Sequence, residues 1–436
     1  MPETGGARGT LMQALTGFRD FFPDACARRN GIFRSWRRTA ERHGFVEYDG
    51  PPLESLELFT RKSGPEIVKQ LYNFVDKGER EVAFRAEMTP TFVRMVGARH
   101  RDFRKPIKWF AIPQLLRYER PQKGRLREHF QFNADLVGSG TPGEDAEVIA
   151  LLVALLRDLG LGPRDFRVRL SSRAVWHAAL DAIGVGAAAH GGVFEVVDKM
   201  ERVKPEESEA RLAGLGLGAE QTAKVRAVSE ARDLEGAASA AGGLGEAGEW
   251  LRQVIGSLEA LGAGDCVAVD LGIVRGLAYY TGVVFEAFAL DAAGGYDGRA
   301  LAGGGRYDDL LKNLAGVALP AVGFGMGDVV LGQLLEEKGL DVTGGAGKRV
   351  FVAWPGEEFR VSGLGVVRAL REAGFVAEYP LRAQGLGKQL EAAEHAGAAC
   401  AVIVGEEYAR AEVDVKWLAE RRQERVAVGR LVEALG

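Results

Sequence analysis

The sequence predicts two architectures in one chain, an α+β core carrying a helical insertion and, after it, a small α/β domain. Three observations lead there. Residues 14–140 mix strand-like and helical text without regular alternation, and residues 175–262 turn to Ala, Gly and Glu at helical spacing with few aromatics. Beyond residue 348, strands and helices alternate to the end of the chain, the mark of a mostly parallel sheet. At 436 residues, the chain is long enough for roughly three domains of ~150 residues each.

The elements follow in order. Arg28–Gly44 reads as a helix, with Ile32, Phe33 and Trp36 at helical spacing. Residues 143–159 form the clearest helix, with acidic residues in the first turn and Arg157 in the last, as the helix dipole favours. Residues 165–170 alternate with period two and read as a strand, as do Cys266–Leu271 and Val283–Phe288 on either side of a longer connection. Glycine-rich turns are expected at 303–305 and 323–327, and the second of these opens a helix over Asp328–Glu337. Residues 343–348 (TGGAGK) read as a flexible linker, which gives expected domains at 1–342 and 349–436. The last segment reads as strand Val350–Trp354, helix 360–373, strand Phe375–Tyr379, helix 384–396, strand Cys400–Val404 and a final helix from residue 427. No internal repeat is visible.

Composition excludes several classes. Apolar residues make up 47% and charged residues 27%, the balance of a globular protein. The longest apolar run, Val148–Leu156, is about half of what a membrane span needs. The N-terminal text MPETGGARGTLMQ has no basic segment leading into an apolar one, so the expectation is a cytoplasmic protein without a membrane partner. Cys26, Cys266 and Cys400 are too scattered for a metal clip or a disulfide framework, and the six histidines show no paired spacing, so no zinc and no tight metal site are expected. The net charge is −4, yet residues 94–127 hold eleven Lys and Arg against Asp102 and Glu119, a local +9. Within strand-like text such as IKWFAIPQLLRYER, positioned guanidiniums suit bidentate phosphate recognition.

No GxxxxGK[ST] is present, so a nucleotide would not be held by a P-loop. Gly214–Gly218 fails GxGxxG spacing and reads as a turn. Gly323–Gly327 suits close helix–strand packing first, and backbone approach by a phosphate or a planar ring second.

Four segments carry chemistry together: Phe84–Pro90 (FRAEMTP), Arg117–Arg125 (RYERPQKGR) running on to Gln131–Asp135, Leu271–Tyr280 (LGIVRGLAYY), and Ala302–Asp308 (AGGGRYD) with Pro320–Gly327. With these in order, the chain resembles the histidyl-tRNA synthetase family of class II aminoacyl-tRNA synthetases, from Gly17-Phe-Arg-Asp-Phe-Phe-Pro23 to the C-terminal segment. RYERPQKGR resembles the family's second class-defining motif, and VRGLAYY and AGGGRYD resemble its two histidine signatures. The resemblance implies an antiparallel catalytic sheet flanked by helices, a C-terminal anticodon-binding domain and a homodimer. Its implied activity is histidine plus ATP to histidyl-adenylate, then transfer to the 3′ end of tRNA(His), with Mg²⁺ accompanying the ATP and no organic cofactor. In the transfer step a phosphate oxygen of the adenylate is expected to take the proton.

The residues fit this chemistry. A carboxylate attacking an α-phosphate builds negative charge on phosphorus oxygens, so fixed cations aimed there are the main catalytic device. The resemblance assigns Arg117 and Arg275 to that phosphate and to the amino-acid carboxylate as the catalytic pair. Arg125 goes to the γ-phosphate and Glu119 to the adenine side. Glu87, Thr89, Gln131 and Asp135 match the positions that bind histidine's ammonium and imidazole, and Tyr279 and Tyr280 match the tyrosines lining its pocket. A buried polar site of this kind rejects analogues that leave its groups unpaired. Gln122, Lys123 and Arg127 fall in the loop that approaches the tRNA acceptor end, where cations neutralise backbone phosphate. Base-reading residues of the C-terminal domain have no signature here.

Three positions depart from the family pattern. Ala278 replaces an aspartate, Asp135 a more usual glutamate, and Val330 an arginine that contacts ATP. Losing that arginine would cost ~1–3 kcal/mol of nucleotide binding. These departures keep a second reading open, a non-catalytic histidine-binding paralogue such as the regulatory subunit of an ATP phosphoribosyltransferase. Retention of Arg117, Arg125, Arg275, the RPQKGR loop and the C-terminal domain speaks for the synthetase.

Overall fold

The computed structural model describes residues 12–122, 124–274, 279–343 and 348–436. Lys123, Arg275, Ala278 and the centre of the expected linker lie outside them. The chain divides into two compact units, Met1–Val342 and Thr343–Gly436.

The first unit is built on a nine-stranded sheet among the described residues. In chain order the unit's strands are β1 Val46–Glu47, β2 Leu53–Ser55, β3 Asn73–Val75, β4 Glu81–Phe84, β5 Ile107–Ala111, β6 Gln114–Leu116, β7 Glu128–Val137, β8 Phe166–Ser172, β9 Val267–Val269, β10 Val283–Leu290, β11 Tyr296–Arg306 and β12 Ala321–Gly327. The large sheet runs β1-β5-β7-β12-β11-β10-β8-β9, with β6 also paired to β7. Every pairing from β5 to β8 is antiparallel, and only the edges β1–β5 and β8–β9 are parallel. Strands β2, β4 and β3 form a separate small sheet.

Helices flank both faces of the large sheet. They are α1 Pro23–Arg42, α2 Leu56–Ser63, α3 Thr89–Arg99, α4 Pro142–Asp158, then α5 Arg173–Ile183, α6 Ala187–Met200, α7 Pro205–Gly214, α8 Ala219–Glu230, α9 Leu234–Ala241 and α10 Gly245–Ala260, and finally α11 Leu310–Ala315 and α12 Asp328–Glu337. Of these, α3 and α11 pack with Val137 and Ile107, and the others chiefly with the face of Phe132 and Leu136. Helix α4 matches its sequence expectation. Thr141 and Glu144 form a capping box, and Val148, Leu151, Leu152, Leu155 and Leu156 are fully buried. Each such side chain contributes ~1.5–3 kcal/mol relative to exposure. Helix α1 begins five residues before its expected start, at Pro23, whose missing N–H suits the first helical position. One apolar cluster joins sheet residues such as Phe132 and Phe285 to α4 and to Val193, Val225 and Leu251 of the α5–α10 segment. No single helix among the described residues is long and apolar enough to cross a membrane.

The glycine-rich stretches at 303–305 and 323–327 are not turns. They lie inside β11 and β12, paired with each other. Instead of punctuating turns, these glycines let the strand faces approach other groups closely. Gly214–Gly218 does form the connection between α7 and α8.

The second unit holds β13 Arg349–Ala353, α13 Arg360–Glu372, β14 Val376–Glu378, α14 Leu386–His395, β15 Cys400–Ile403, β16 Glu412–Trp417, β17 Arg422–Ala427 and α15 Leu431–Leu435. Its sheet runs β14-β13-β15-β16-β17. Along β13, Val350 and Val352 join one apolar cluster while Phe351 and Ala353 join another, so both faces are covered. The sheet is mixed rather than mostly parallel. Its parallel pairs are β13–β14 and β13–β15, while β15–β16 and the hairpin β16–β17 are antiparallel. That hairpin escaped the sequence reading because β17 is an edge strand whose residues, Val426 apart, are exposed. The expected final helix is correspondingly short.

Candidate active site

Strand β7 separates core from site by simple alternation. Phe132, Ala134 and Leu136 point into the apolar core, so Gln131, Asn133 and Asp135 occupy the opposite face. On the neighbouring strand β12, Gly327, Gly325 and Gly323 lie beside them in register. A Cβ on Gly325 would stand 2.8 Å from Gln131, and one on Gly323 would collide with the Asp135 carboxylate and stand 2.7 Å from the Ala134 carbonyl. Gly303 and Gly305 of β11 continue this bare floor opposite Gly325 and Gly323.

Over the floor opens a cleft of about 750 Å³. Arg117, Glu119, Arg125, His129, Gln131 and Glu286 supply its polar lining, and Phe288, Val329 and Val330 part of its apolar wall. Arg202, from the connection between α6 and α7, also lines it. Arg117 follows β6 and is held twice: its Nε donates to the Ala86 carbonyl at 2.9 Å, and its backbone N–H donates to the Arg127 carbonyl at 2.8 Å. Because Ala86 precedes Glu87, the first bond sets the guanidinium beside the acidic pocket. Burial, with the charges of Arg117 and Arg19 adding to it, pushes the His129 imidazole down to about 3, so it stays neutral.

The segment after Arg117 folds back on itself. Gln122 and Arg125 exchange backbone hydrogen bonds, and the Arg125 guanidinium pairs with the Glu119 carboxylate. Arg127 Nε donates to the Glu119 carbonyl at 3.2 Å, and its guanidinium sits 4.9 Å from the Tyr118 ring centre. The basic block is not one free cationic face. Arg94 pairs with Glu54, Arg99 with Asp102, and Lys108 with Glu147, while Arg101, Arg104 and Arg120 are exposed.

At the other end of the β7 face lies a buried polar pocket framed by side chains of α2, α3 and the segment around Tyr279. Asp135 is 4% exposed, and burial raises its carboxyl to about 7 even though the Tyr307 hydroxyl donates to it and Lys62 stands nearby. Tyr279 packs edge-on against Tyr280 and Tyr307 with ring centres 5.0 and 5.9 Å away, and its hydroxyl bonds with Thr89 at the start of α3. The Lys62 ammonium, on α2, pairs with Glu87 and lies 4.6 Å from the Tyr279 ring centre. Thus Glu87, Thr89, Asp135, Tyr279 and Tyr280 gather at this pocket, and Arg117, Glu119, Arg125 and Gln131 at the adjoining cleft. Among the described residues, no group of three or more His, Cys, Asp or Glu could hold a metal ion.

Sequence reasoning missed Lys62, Tyr307, Glu286 and His129. Tyr307 stood inside AGGGRYD, but Lys62 carries no sequence signal, since a lysine in LELFTRKS reads as a solvated helix face. In the same signature Arg306 turns away from the cleft. Its Nε donates to Asp145 of α4 at 2.8 Å, beneath the Trp250 ring, so it ties sheet to helix.

A glycine-floored cleft beside a small acidic pocket, both on one antiparallel sheet, is the arrangement of a class II aminoacyl-tRNA synthetase. The chain belongs to the histidyl-tRNA synthetase family: the family model described as "Histidyl-tRNA synthetase" matches residues 17–327, and "Anticodon binding domain" matches 349–436. A histidine–tRNA ligase of Opitutus terrae is 46% identical over 94% of this chain and 95% of its own length. One from Thermoplasma volcanium is 39% identical over 97% and 98%. A crystal structure of histidyl-tRNA synthetase from Nostoc, 23% identical, superposes with a TM-score of 0.82 over 97% of this chain and 98% of its own, a likeness of fold.

Proposed function

We propose that the chain is a histidine–tRNA ligase, activating L-histidine with ATP and transferring it to the 3′ end of tRNA(His). The observation that carries the reading is the single face of β7. It joins Gln131, in a cleft large enough for a nucleotide, to Asp135, in a buried polar pocket, with Arg117 tied down beside Glu87.

In this reading the buried polar pocket takes histidine. Glu87 and Thr89 receive the α-ammonium, Asp135 accepts from an imidazole N–H, and Tyr279 and Tyr280 enclose the ring. ATP lies in the cleft, where the bare glycine floor lets its planar base approach the strands. Arg117 and Arg275 bracket the α-phosphate as the histidine carboxylate attacks. The new C–O–P bond forms while the bond to pyrophosphate breaks, and the arginines take up the charge on the phosphorus oxygens. Arg125 is the cation for the γ-phosphate and leaves Glu119 to reach it, with Glu119 turning to the adenine side. Mg²⁺ would come with the ATP and offset phosphate charge, and Glu286 is the cleft carboxylate that would remain to hold it once Glu119 turns to the adenine side.

Gln122, Lys123 and Arg127 serve the tRNA acceptor end, and residues 349–436 the anticodon, with 1–342 as the catalytic domain. The enzyme acts as a cytoplasmic homodimer. The names of the relatives favour this ligase over a regulatory paralogue. The test is charging of a tRNA(His) transcript with labelled histidine. Wild-type protein charges it, and Arg117→Ala, with an unchanged melting temperature, loses at least ~100-fold in rate. Equal charging by both would remove Arg117 from the reaction.

A further inference from the structure

Lys62 is a feature of the pocket that the activation chemistry leaves unused. Its side chain is fully buried, yet it ends in an ammonium. Burial pulls that group below the ordinary lysine range, while Glu87 and, more distantly, Asp135 pull it back. The geometry around it is that of a bound amine: a carboxylate partner in Glu87 and an aromatic face in Tyr279 at 4.6 Å. With no substrate in the pocket, this contact also spares Glu87 the cost of an unpaired, largely buried charge.

We infer that Lys62 is an internal placeholder at the amino-acid pocket, holding Glu87 until the α-ammonium of the substrate displaces it. The inference rests on the proposal that Glu87 receives that ammonium. Two ammonium groups cannot share one largely buried carboxylate without strong repulsion, because Arg117 already adds positive charge on the same side. Substrate binding is therefore an exchange of one cation for another. Lys62 acts as a specificity determinant: a ligand lacking the amine has nothing with which to displace it, and a ligand carrying the amine gives up part of its affinity to the exchange.

The test is calorimetric titration of the full-length protein with histidine, with histamine, which keeps the amine but lacks the carboxylate, and with imidazolepropionate, which lacks the amine. Lys62→Met keeps the stem and removes the charge, and Lys62→Gln keeps a donor for Glu87 if the first variant folds poorly. Removing a charge-assisted hydrogen bond that must be broken on binding tightens histidine and histamine by roughly 10- to 100-fold and leaves imidazolepropionate within about 2-fold. Histidine also raises the melting temperature of the variant more than that of wild type. Weaker or unchanged histidine and histamine binding in the variants overturns the placeholder role while wild-type histidine binding upholds the pocket. Absence of histidine binding to wild type overturns the pocket assignment itself.

Discussion

Tyr307→Phe removes one hydroxyl, and its effect can be worked from the pocket. The phenol donates to Asp135, whose carboxyl already titrates near 7 because burial disfavours its charged form. At neutral pH the wild-type carboxyl is therefore about half ionised. A hydrogen bond to a charged group is worth ~1.5–3 kcal/mol, and ~1.4 kcal/mol moves a titration by one pH unit. Without the phenol, Asp135 titrates one to two pH units higher, and its ionised fraction at pH 7 drops to roughly 1–10%. If the carboxylate accepts from histidine's imidazole, KM for histidine at pH 7 rises ~5- to 50-fold while kcat changes little. The sign with pH is fixed: raising the pH restores the carboxylate, so the variant-to-wild-type ratio shrinks to roughly 1–4-fold by pH 8.5. The assay is steady-state aminoacylation across pH 6.5–8.5, with melting curves to confirm folding. A KM ratio that stays constant over that range, or no change at all, would refute the link between Tyr307, Asp135 and substrate.

The same carboxyl affects stability. Asp135 holds its proton more tightly folded than unfolded, so its contribution is complete below pH ~4 and is lost as the pH rises through about 7; Asp135→Asn removes that dependence, worth up to roughly 4 kcal/mol between pH 4 and 8 in urea titrations. Asp145→Ala strands the buried Arg306 guanidinium and the Trp250 N–H that donates to Asp145 at 2.7 Å, and costs about 3 kcal/mol by urea denaturation, since Asp308 and Glu144 still attend the cation. A loss under ~1 kcal/mol would show that the tie is dispensable. Gly304→Ala places a methyl against the Gly323 carbonyl and 2.5 Å from Phe324 Cβ, and destabilises by at least ~2 kcal/mol, whereas Gly332→Ala on α12, where a Cβ meets nothing within 4 Å, stabilises by ~0.5–1 kcal/mol. Equal melting temperatures for those two variants would contradict the close approach of β11 and β12.

Much of this was legible because it was periodic or ordered. Helix α4 announced itself through its apolar run and charged ends, and β8 and β10 through alternation or apolar text. The site segments were recognisable by their order along the chain. What stayed hidden depends on contacts between distant segments. Gly303–Gly305 and the segment Gly323–Gly327 read locally as turns, the second also as a place of close packing, and their part in the site floor emerges only when β11 lies beside β12 and β7. Lys62 looks like any surface lysine until α2 carries it under Tyr279. Hairpin β16–β17 has an edge strand with little burial, so it left a weak apolar signal in the sequence. Arg306 and Tyr307 are adjacent in one signature yet face opposite ways, one into the α4 tie and one onto Asp135, as the pleat of β11 and its exit require.

Histidine-dependent exchange of labelled pyrophosphate into ATP, by the purified protein with Mg²⁺ and without tRNA, isolates the activation step. Exchange is expected with histidine and with none of the other amino acids, which would also show that Val330 and Ala278 are compatible with activation. Absence of exchange in folded protein that binds histidine by calorimetry would contradict the ligase and leave a histidine-binding paralogue.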